Sequence, residues 1–412
     1  MAPPGSHRVR ALVATIVVLA AALSMPGSER ATPADEPLMV TATTPLVEDY
    51  PDAITRRLRR MATEPRPVEP SAIPPRHLDA ETFPVSLVPR DQIVWGGVAP
   101  DAIPAIDHPV FEPVSSVAWL DDREAVLVLQ LDAEPRAYPI QVLMWHEIVN
   151  DQVDGRPVAV TYCPLCNSGL AFDRMVDGRT LDFGTSGSLY QSALVMYDRQ
   201  SESLWTHFDG RAVVGTLAGA ELAMLPMSTV AWGDFRQAHP DGAVLSRDTG
   251  YVRPYGRNAY RGYDQGDGPL AGFFSGEVDP RQAGMARVVG FGDGDAAVAV
   301  LTEHLARVGV LHLDLDGRPV VAWHVPGTAS ALQRERVAEG DDVGATGVFF
   351  TDGSTFTREG AGFVDDETGT TWNVLGEAAR GPRQGERLEP VTHLDTFWFA
   401  WSTYRPETAL IG

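Results

Sequence analysis

Short apolar runs separated by turn residues dominate the chain from about residue 85 onward. The dipeptides Asp154-Gly155 and Asp177-Gly178 are typical of the tight turns that join neighbouring antiparallel strands. Runs of this length that are rich in β-branched and aromatic residues predict strands. Four such strands are predicted, over residues 116–120, 125–131, 157–162 and 193–197.

Helical patterns are few and short. Residues 139–145 predict a helix because Pro139 suits a first turn, and residues 229–238 predict another, with Ser228 as its N-cap and Pro240 after its end. The fold class expected from this pattern is mainly β with short helices, an α+β arrangement.

The second half of the chain repeats features of the first. The tetrapeptide at 155–158, Gly-Arg-Pro-Val, recurs at 317–320, which aligns Gly155 with Gly317. Four further pairs share one common, slightly larger offset: Gly219 and Gly385, Leu222 and Leu388, Trp232 and Trp398, and Pro240 and Pro406. Agreement at several positions under nearly the same alignment indicates an internal duplication, so two tandem related domains are expected, packed as a pseudo-dimer.

The amino terminus has the pattern of an export signal. Arg8 and Arg10 precede an apolar run over residues 11–23, which is shorter than the ~20 residues of a spanning helix. An uncleaved anchor is the alternative, and no other membrane span is expected. The predicted organisation is a signal at 1–31, a flexible Pro-rich lead-in at 32–84, a first repeat at 85–250, a connector at 251–281 and a degenerate second repeat at 282–412.

Composition narrows the class of protein. The 412 residues are 44% hydrophobic and 21% charged, as in ordinary folded proteins, and the formal net charge is −22. That charge repels a phosphate backbone and argues against nucleic acid as a partner. With the amino-terminal pattern, the expected location is extracytoplasmic: periplasmic, cell-surface or secreted.

The chain contains only two cysteines, and they form a Cys-x-x-Cys pair at Cys163 and Cys166. Two sulfurs at this spacing can bind one metal ion or close a short disulfide. In the alignment of Gly155 with Gly317, the second repeat has Val325 and Thr328 instead. A sulfur pair present in only one repeat indicates a functional site rather than a fold-stabilising bond.

The leading hypothesis is an extracytoplasmic metal-binding protein with redox or metal-assisted chemistry. Cys163 and Cys166 would bind as thiolates and His146, 17 positions before Cys163, as a neutral imidazole. Soft sulfur with imidazole suits copper or zinc. Further candidates to support the site are Glu147, Ser186, Met196 and His207.

Other interpretations of the same residues remain open. The cysteines can cycle between dithiol and disulfide in a thiol–disulfide oxidoreductase, or form an ordinary structural disulfide in a non-enzymatic binding scaffold. Against thioredoxin-like chemistry, residues 167–172 predict a loop and a strand where that mechanism needs a helix. His146 can equally be a core histidine beside Trp145.

Four blocks, 145–151, 161–168, 183–187 and 197–205, together resemble a family of exported bacterial and archaeal proteins classified only as a domain of unknown function. The resemblance covers most of the chain from about residue 90 to 412. It implies an extracytoplasmic location and points to His146, Cys163 and Cys166, but it implies no substrate or reaction.

Overall fold

A computed structural model describes residues 83–131 and 134–412 of the chain. The predicted signal segment and nearly all of the predicted lead-in lie outside the described residues. All four α-helices of the described part are seven residues long, about a third of the ~20 that a membrane-crossing helix needs. None of them qualifies as a membrane span.

The first half of the described chain contains two α-helices and sixteen strands. In order they are β1 Ile93–Trp95, β2 Phe111–Pro113, β3 Ala125–Leu129, β4 Arg136–Pro139, α1 Ile140–His146, β5 Ile148–Val153, β6 Arg156–Cys163, β7 Ser168–Asp173, β8 Met175–Val176, β9 Arg179–Thr180, β10 Phe183–Tyr190, β11 Ala193–Asp198, β12 Leu204–Thr206, β13 Arg211–Val214, β14 Met224–Leu225, β15 Met227–Ala231, α2 Trp232–Ala238 and β16 Ala243–Leu245.

The second half contains two α-helices and twelve strands. They are β17 Arg287–Phe291, β18 Val298–Leu301, α3 Thr302–Val308, β19 Val310–Leu315, β20 Arg318–Val325, β21 Ala345–Phe350, β22 Phe356–Glu359, β23 Gly362–Asp365, β24 Thr371–Trp372, β25 Ala378–Arg380, β26 Glu389–Pro390, β27 His393–Phe397, α4 Trp398–Tyr404 and β28 Ala409–Ile411. Short 3-10 turns occur at Arg90–Gln92, Val114–Ser116, Tyr263–Gln265, Gly294–Ala296 and Val337–Glu339.

The mainly β prediction with short helices is confirmed, and the strand order explains how the sheets are built. In the first half the sheets run β15-β3-β4-β16-β2, β14-β7-β6-β5 and β1-β10-β11-β12-β13. In the second half they run β27-β17-β18-β28, β26-β21-β20-β19 and β22-β23-β24-β25. Apart from the edge strands β1 and β2, each first-half strand of these sheets has a counterpart at the same position in a second-half sheet.

Matching hydrogen bonds accompany the matching strand order. The buried carboxylate of Asp198 accepts the indole N–H of Trp205 at 2.9 Å, and Asp365 accepts that of Trp372 at 3.1 Å. Each carboxylate also accepts a backbone N–H three residues ahead, at 2.6 Å in both cases. Each buried indole N–H thus has a charged acceptor on the adjacent strand, which fixes the turn between the two strands.

Local turn chemistry accounts for several elements. Asp154 and Gly155 both have positive φ, 48° and 81°, and join β5 to β6 as a two-residue hairpin. Asp177 and Gly178 do the same between β8 and β9, with φ of 48° and 74°. The predicted turns therefore form where the Asp-Gly pairs indicate.

Two of the local predictions are wrong. Residues 116–120 form no strand, because a 3-10 turn opens after Pro113 and the Ser116 hydroxyl donates to the Pro113 carbonyl at 2.8 Å. The predicted helix at 229–238 begins only at Trp232, since the preceding residues pair with β3. Ser228 lies in β15 and donates to the side chain of Gln130 rather than to a helix end.

The two halves share their interior. One core cluster contains Val126 and Trp232 from the first half together with Trp323, Phe349 and Trp372 from the second. Strand β7 of the first half lies beside β27 of the second, and β21 of the second lies beside β15 of the first. The turn that carries the two cysteines leads into β7 and therefore lies where the halves meet.

Candidate metal centre

The two cysteines lie on the tight turn between β6 and β7. Cys163 ends β6 and pairs with Ser168, the first residue of β7. The chain reverses direction within Pro164, Leu165 and Cys166, and Asn167 adopts a positive φ of 51° to complete the turn. Both sulfurs are free thiols and buried. The thiol of Cys166 points back to the Cys163 carbonyl, 3.8 Å from it.

Hydrogen bonds shift the pKa values of the two thiols in opposite directions. Burial alone would raise the pKa of Cys163, but the thiol and amide of Cys166 and the amides of Leu194 and Leu165 hold that pKa below its ordinary value. The Leu194 N–H lies 3.4 Å from the Cys163 sulfur. Burial and the adjacent Cys163 raise the pKa of Cys166 well above its ordinary value. Cys163 is therefore the more acidic thiol of the pair.

His207 completes a buried group of three. It follows β12, where its backbone N–H donates to the Leu194 carbonyl at 3.0 Å. One ligand atom from each of Cys163, Cys166 and His207 lies within 4.8 Å of the others. These three residues form a group that can hold a metal ion.

The His207 ring has an unusual environment. Its side chain is 0% exposed, and neither ring nitrogen has a hydrogen-bond partner among the described residues. Burial lowers the pKa of His207 to about 3, so its imidazole is neutral near pH 7. A neutral imidazole with a free lone pair beside two sulfurs is the donor set that Cys-and-His metal sites use.

His146 does not join this group. Its Nδ1 lies 2.7 Å from the Pro104 carbonyl, and its Nε2 lies 2.7 Å from the Tyr255 hydroxyl. Because Nδ1 faces a carbonyl it donates there, and Nε2 accepts the proton of Tyr255. Burial lowers the pKa of His146 to about 4. The predicted ligand His146 is thus a hydrogen-bonded core histidine, and His207, predicted only as a supporting residue, lies at the sulfurs.

Glu147 is held beside the cysteine turn by backbone geometry. It ends α1 with φ 60° and ψ −31°, and its carbonyl accepts the Tyr162 N–H at 2.8 Å. Burial and then the charge of Cys163 raise its carboxyl pKa well above the ordinary value. The carboxyl makes one long contact, 3.5 Å from the Tyr260 hydroxyl, and lines a cavity of about 40 Å³ with Leu165 and Leu194.

Replacing Glu147 by glycine is expected to raise the free energy of unfolding. The corresponding helix end in the second half is Gly309, with nearly the same angles, φ 78° and ψ −41°. A side chain in this region costs about 1–3 kcal/mol, and a buried carboxyl adds to that cost. We expect Glu147→Gly to raise the free energy of unfolding, measured with urea, by about 1 kcal/mol. This is a net figure, because the variant also loses the packing of the side chain. Glu147→Ala, which keeps a Cβ at this φ, is the control; equal stability of the two variants would contradict the assignment of strain.

The other two predicted supporting residues, Ser186 and Met196, lie on the neighbouring strands β10 and β11. Ser186 lies in a bulge of β10, where its hydroxyl donates to the Val195 carbonyl at 2.6 Å and accepts the Ser188 N–H at 3.1 Å. Those bonds give it a structural role in the bulge. Met196 is fully buried on β11 and belongs to the same core cluster as both cysteines.

The second half of the chain covers the cysteine turn. The Thr396 hydroxyl and the Phe397 N–H both donate to the Cys166 carbonyl, at 2.7 and 3.2 Å. Ser168 bonds to Thr396 at 2.8 Å, and the Tyr263 hydroxyl donates to the Leu165 carbonyl at 2.7 Å. These bonds order the turn and exclude water from both sulfurs.

The stability of the metal-free protein should depend on pH through the buried histidines. The pKa of His207 is lowered from 6.5 to about 3 and that of His146 to about 4, so below pH 6.5 the unfolded chain binds protons that the folded chain does not. Their contribution to stability is complete above pH 6.5 and is lost as pH falls toward 3–4, by about 1.4 kcal/mol per pH unit for each histidine.

Urea unfolding of the metal-free protein between pH 8 and 4.5 measures this loss. The variant His207→Gln is expected to reduce the slope of the acid limb by up to about 1.4 kcal/mol per pH unit, while His146 and the other histidines with a lowered pKa, His239, His312 and His324, still contribute. The partly exposed His304, which lies 3.4 Å from Arg307, offers the control His304→Gln. An acid limb unchanged by His207→Gln would contradict the burial of a neutral His207.

The chain belongs to the family described as "Protein of unknown function (DUF3179)", whose model matches residues 100–408. The resemblance identified from the motifs agrees with this assignment. Comparison with curated proteins and with solved structures returns no match to this chain.

Proposed function

We propose that this member of the DUF3179 family binds one metal ion, copper or zinc, through Cys163, Cys166 and His207. The observation that carries the proposal is His207: a fully buried imidazole without a hydrogen-bond partner for either nitrogen among the described residues, beside two buried sulfurs. A polar ring left unsatisfied in a core is costly, and a metal ion removes the cost by accepting a lone pair.

The ligand chemistry limits the choice of metal. Thiolate and imidazole ligands favour Zn²⁺ and Cu⁺ over Mg²⁺ or Ca²⁺, which prefer oxygen. Three protein ligands leave a coordination position for a fourth donor, which is the arrangement of reactive rather than purely structural sites. Met196, a soft thioether in the same core cluster, is the fourth protein donor that we propose for copper.

Elemental analysis tests this function. Protein purified without chelator should contain close to one copper or zinc ion per chain, and protein reconstituted with Co²⁺ should display the thiolate-to-cobalt charge-transfer absorption of a bound sulfur. Absence of both signals, in protein whose thiols titrate as reduced, would refute a metal-binding role.

A thiol–disulfide oxidoreductase is the second candidate function. The opposite pKa shifts of Cys163 and Cys166 favour it, because a lowered pKa activates the attacking sulfur. Its difficulty is access, since the two residues are only 2% and 0% exposed. The variant Cys166→Ser should trap a mixed disulfide with glutathione if this function is correct; a structural disulfide would instead change only the melting temperature when reduced.

The extracytoplasmic location remains a proposal that rests on the amino-terminal sequence, with Arg8 and Arg10 before the apolar run 11–23. Export bears on the site because unprotected thiols oxidise outside the cytoplasm. A metal ion, or the bonds that the second half contributes, would keep the pair reduced. Fractionation of cells that express the full chain, with detection in the extracytoplasmic fraction, tests this location.

We further propose that the two halves arose by duplication and that only the first kept, or gained, the metal ligands. The matched strand orders and the matched Asp198–Trp205 and Asp365–Trp372 pairs support this. The contacts of β7 with β27 and of β15 with β21 are those that an approximate two-fold axis would generate. At the positions of Cys163 and Cys166 the second half has Val325 and Thr328, which supply no sulfur.

A further inference from the structure

A second site lies where the two halves meet, next to the cysteine turn. A cavity of about 40 Å³ is lined by Tyr162 and Asn167 from the first half and by Arg287, Thr328 and Asp395 from the second. A water needs roughly 10–15 Å³ of such space, so the cavity has room for about three waters or a molecule of a few heavy atoms.

Two opposite charges line this cavity without meeting. On neighbouring antiparallel strands Arg287 is opposite Phe397 and Asp395 is opposite Val289, so the two charged residues are diagonal neighbours on one face. Arg287 bonds instead to Asp264 and Ser330, each at 2.9 Å. Asp395 accepts the Thr346 hydroxyl at 2.5 Å. No ion pair joins Arg287 to Asp395 among the described residues, and each retains capacity for a further partner.

Thr328 supplies an independent indication of a ligand. It is 1% exposed, lines the cavity, and its hydroxyl has no hydrogen-bond partner among the residues that the structure describes. A buried hydroxyl normally has a partner, and the cavity is the open space that Thr328 adjoins. A polar ligand in the cavity would satisfy it.

The charges belong to the second half alone. Ile140 and Thr302, which correspond when Gly155 is aligned with Gly317, both line the cavity, as expected near an approximate two-fold axis. Where the second half has Arg287, however, the first has Ala125 in the same alignment. Where the second half has Asp395, the first has Thr229 in the alignment of Trp232 with Trp398. The second half therefore differs from the first here by two charges of opposite sign, just as the first differs from the second by its cysteines.

We infer that this cavity binds a small zwitterion, an α-amino acid of the size of glycine. Its carboxylate would contact Arg287, its ammonium group Asp395, and the Thr328 hydroxyl would bond to one of its ends. A simple anion would lie beside Asp395 without offering it a counter-charge, and a simple cation would offer no acceptor to Arg287. A zwitterion instead matches both charges at the diagonal spacing. This inference does not rest on the metal centre.

Isothermal titration of the full-length protein with glycine tests the inference. We expect saturable binding of one glycine per chain, with acetate and ethylamine, which each carry one of the two charges, binding at least about tenfold more weakly (about 1.4 kcal/mol). Arg287→Gln and Asp395→Asn should each weaken glycine binding by at least the same factor. The control is Arg318→Gln, which alters an exposed ion pair with Glu389 outside the cavity.

Thr328→Val separates binding from folding. It preserves the shape of the residue and removes only the unpartnered hydroxyl, so it should weaken glycine binding while the melting temperature stays equal or rises. Absence of saturable glycine binding by the wild-type protein, equal binding of uncharged glycerol, or unchanged affinity in both Asp395→Asn and Thr328→Val would each overturn the inference. Metal content, measured on the same samples, reports separately on the cysteine site.

Discussion

Protein in which both Cys163 and Cys166 are replaced by serine is expected to purify with less than about a tenth of the copper or zinc of the wild-type protein. Structural zinc sites built from thiolate and imidazole bind with about 10–16 kcal/mol, and loss of both sulfurs removes most of that. Elemental analysis of the two proteins, purified side by side without chelator, measures the difference. Equal metal content would refute the assignment of the sulfurs as ligands.

The two histidines provide a matched pair for the same measurement. His207→Gln is expected to lower metal affinity by about 100-fold or more, equivalent to about 2.7 kcal/mol, whereas His146→Gln should leave affinity unchanged. Both imidazoles are 0% exposed, so the two variants alter equally buried groups. Each ring nitrogen of His146 has a hydrogen-bond partner, whereas neither ring nitrogen of His207 has one among the described residues. A greater loss in His146→Gln would restore the ligand set predicted from sequence.

Replacing Asp198 by alanine is expected to lower the free energy of unfolding by about 3 kcal/mol. The carboxylate is completely buried and accepts the Trp205 indole N–H together with the N–H and hydroxyl of Ser201. Its removal leaves those donors without an acceptor inside the core. Urea unfolding measures the effect, and Asp198→Asn, which keeps a carbonyl acceptor, should recover part of it.

Asp365→Ala is the corresponding test in the second half. Asp365 accepts the Trp372 indole N–H at 3.1 Å and the Thr368 N–H at 2.6 Å, so the same arrangement is disrupted. A similar loss of about 3 kcal/mol is expected. As a surface control, Asp122→Ala removes an exposed ion pair with Arg236, and we expect a change below about 0.5 kcal/mol. A loss of stability in only one of the variants Asp198→Ala and Asp365→Ala would contradict the equivalence of the two Asp–Trp arrangements.

Secondary structure that depends on a few neighbouring residues could be predicted from the sequence. Strands 157–162 and 193–197 are found at β6 and β11, and helix 139–145 is found, shifted by one residue, at Ile140–His146. The strands follow from β-branched runs, and the helix begins one residue later than predicted because Pro139 is extended and precedes it as its N-cap. The predicted strand at 116–120 failed because a side-chain bond of Ser116 stabilises a turn there.

The identity of the histidine depended on contacts between distant strands. His146 is closer to the cysteines in sequence and precedes a strand that pairs with β6, which favoured it as a ligand. Yet it lies on α1, whose geometry aims its ring at Pro104 and Tyr255. His207 reaches the sulfurs because its amide bonds to Leu194, whose own amide bonds to Cys163. That chain of contacts joins three segments which no local pattern connects.

The sequence alone determined the class of fold, the Asp-Gly turns and the two cysteines as the unusual chemistry of this chain. Each depends on neighbouring residues or on composition, which a linear sequence contains in full. The tertiary structure decided which imidazole accompanies the sulfurs and which strands of the second half cover them. It also brought Arg287, Asp395 and Thr328 to the lining of one cavity. Those outcomes depend on burial and on strand register, which exist only once distant segments have packed together.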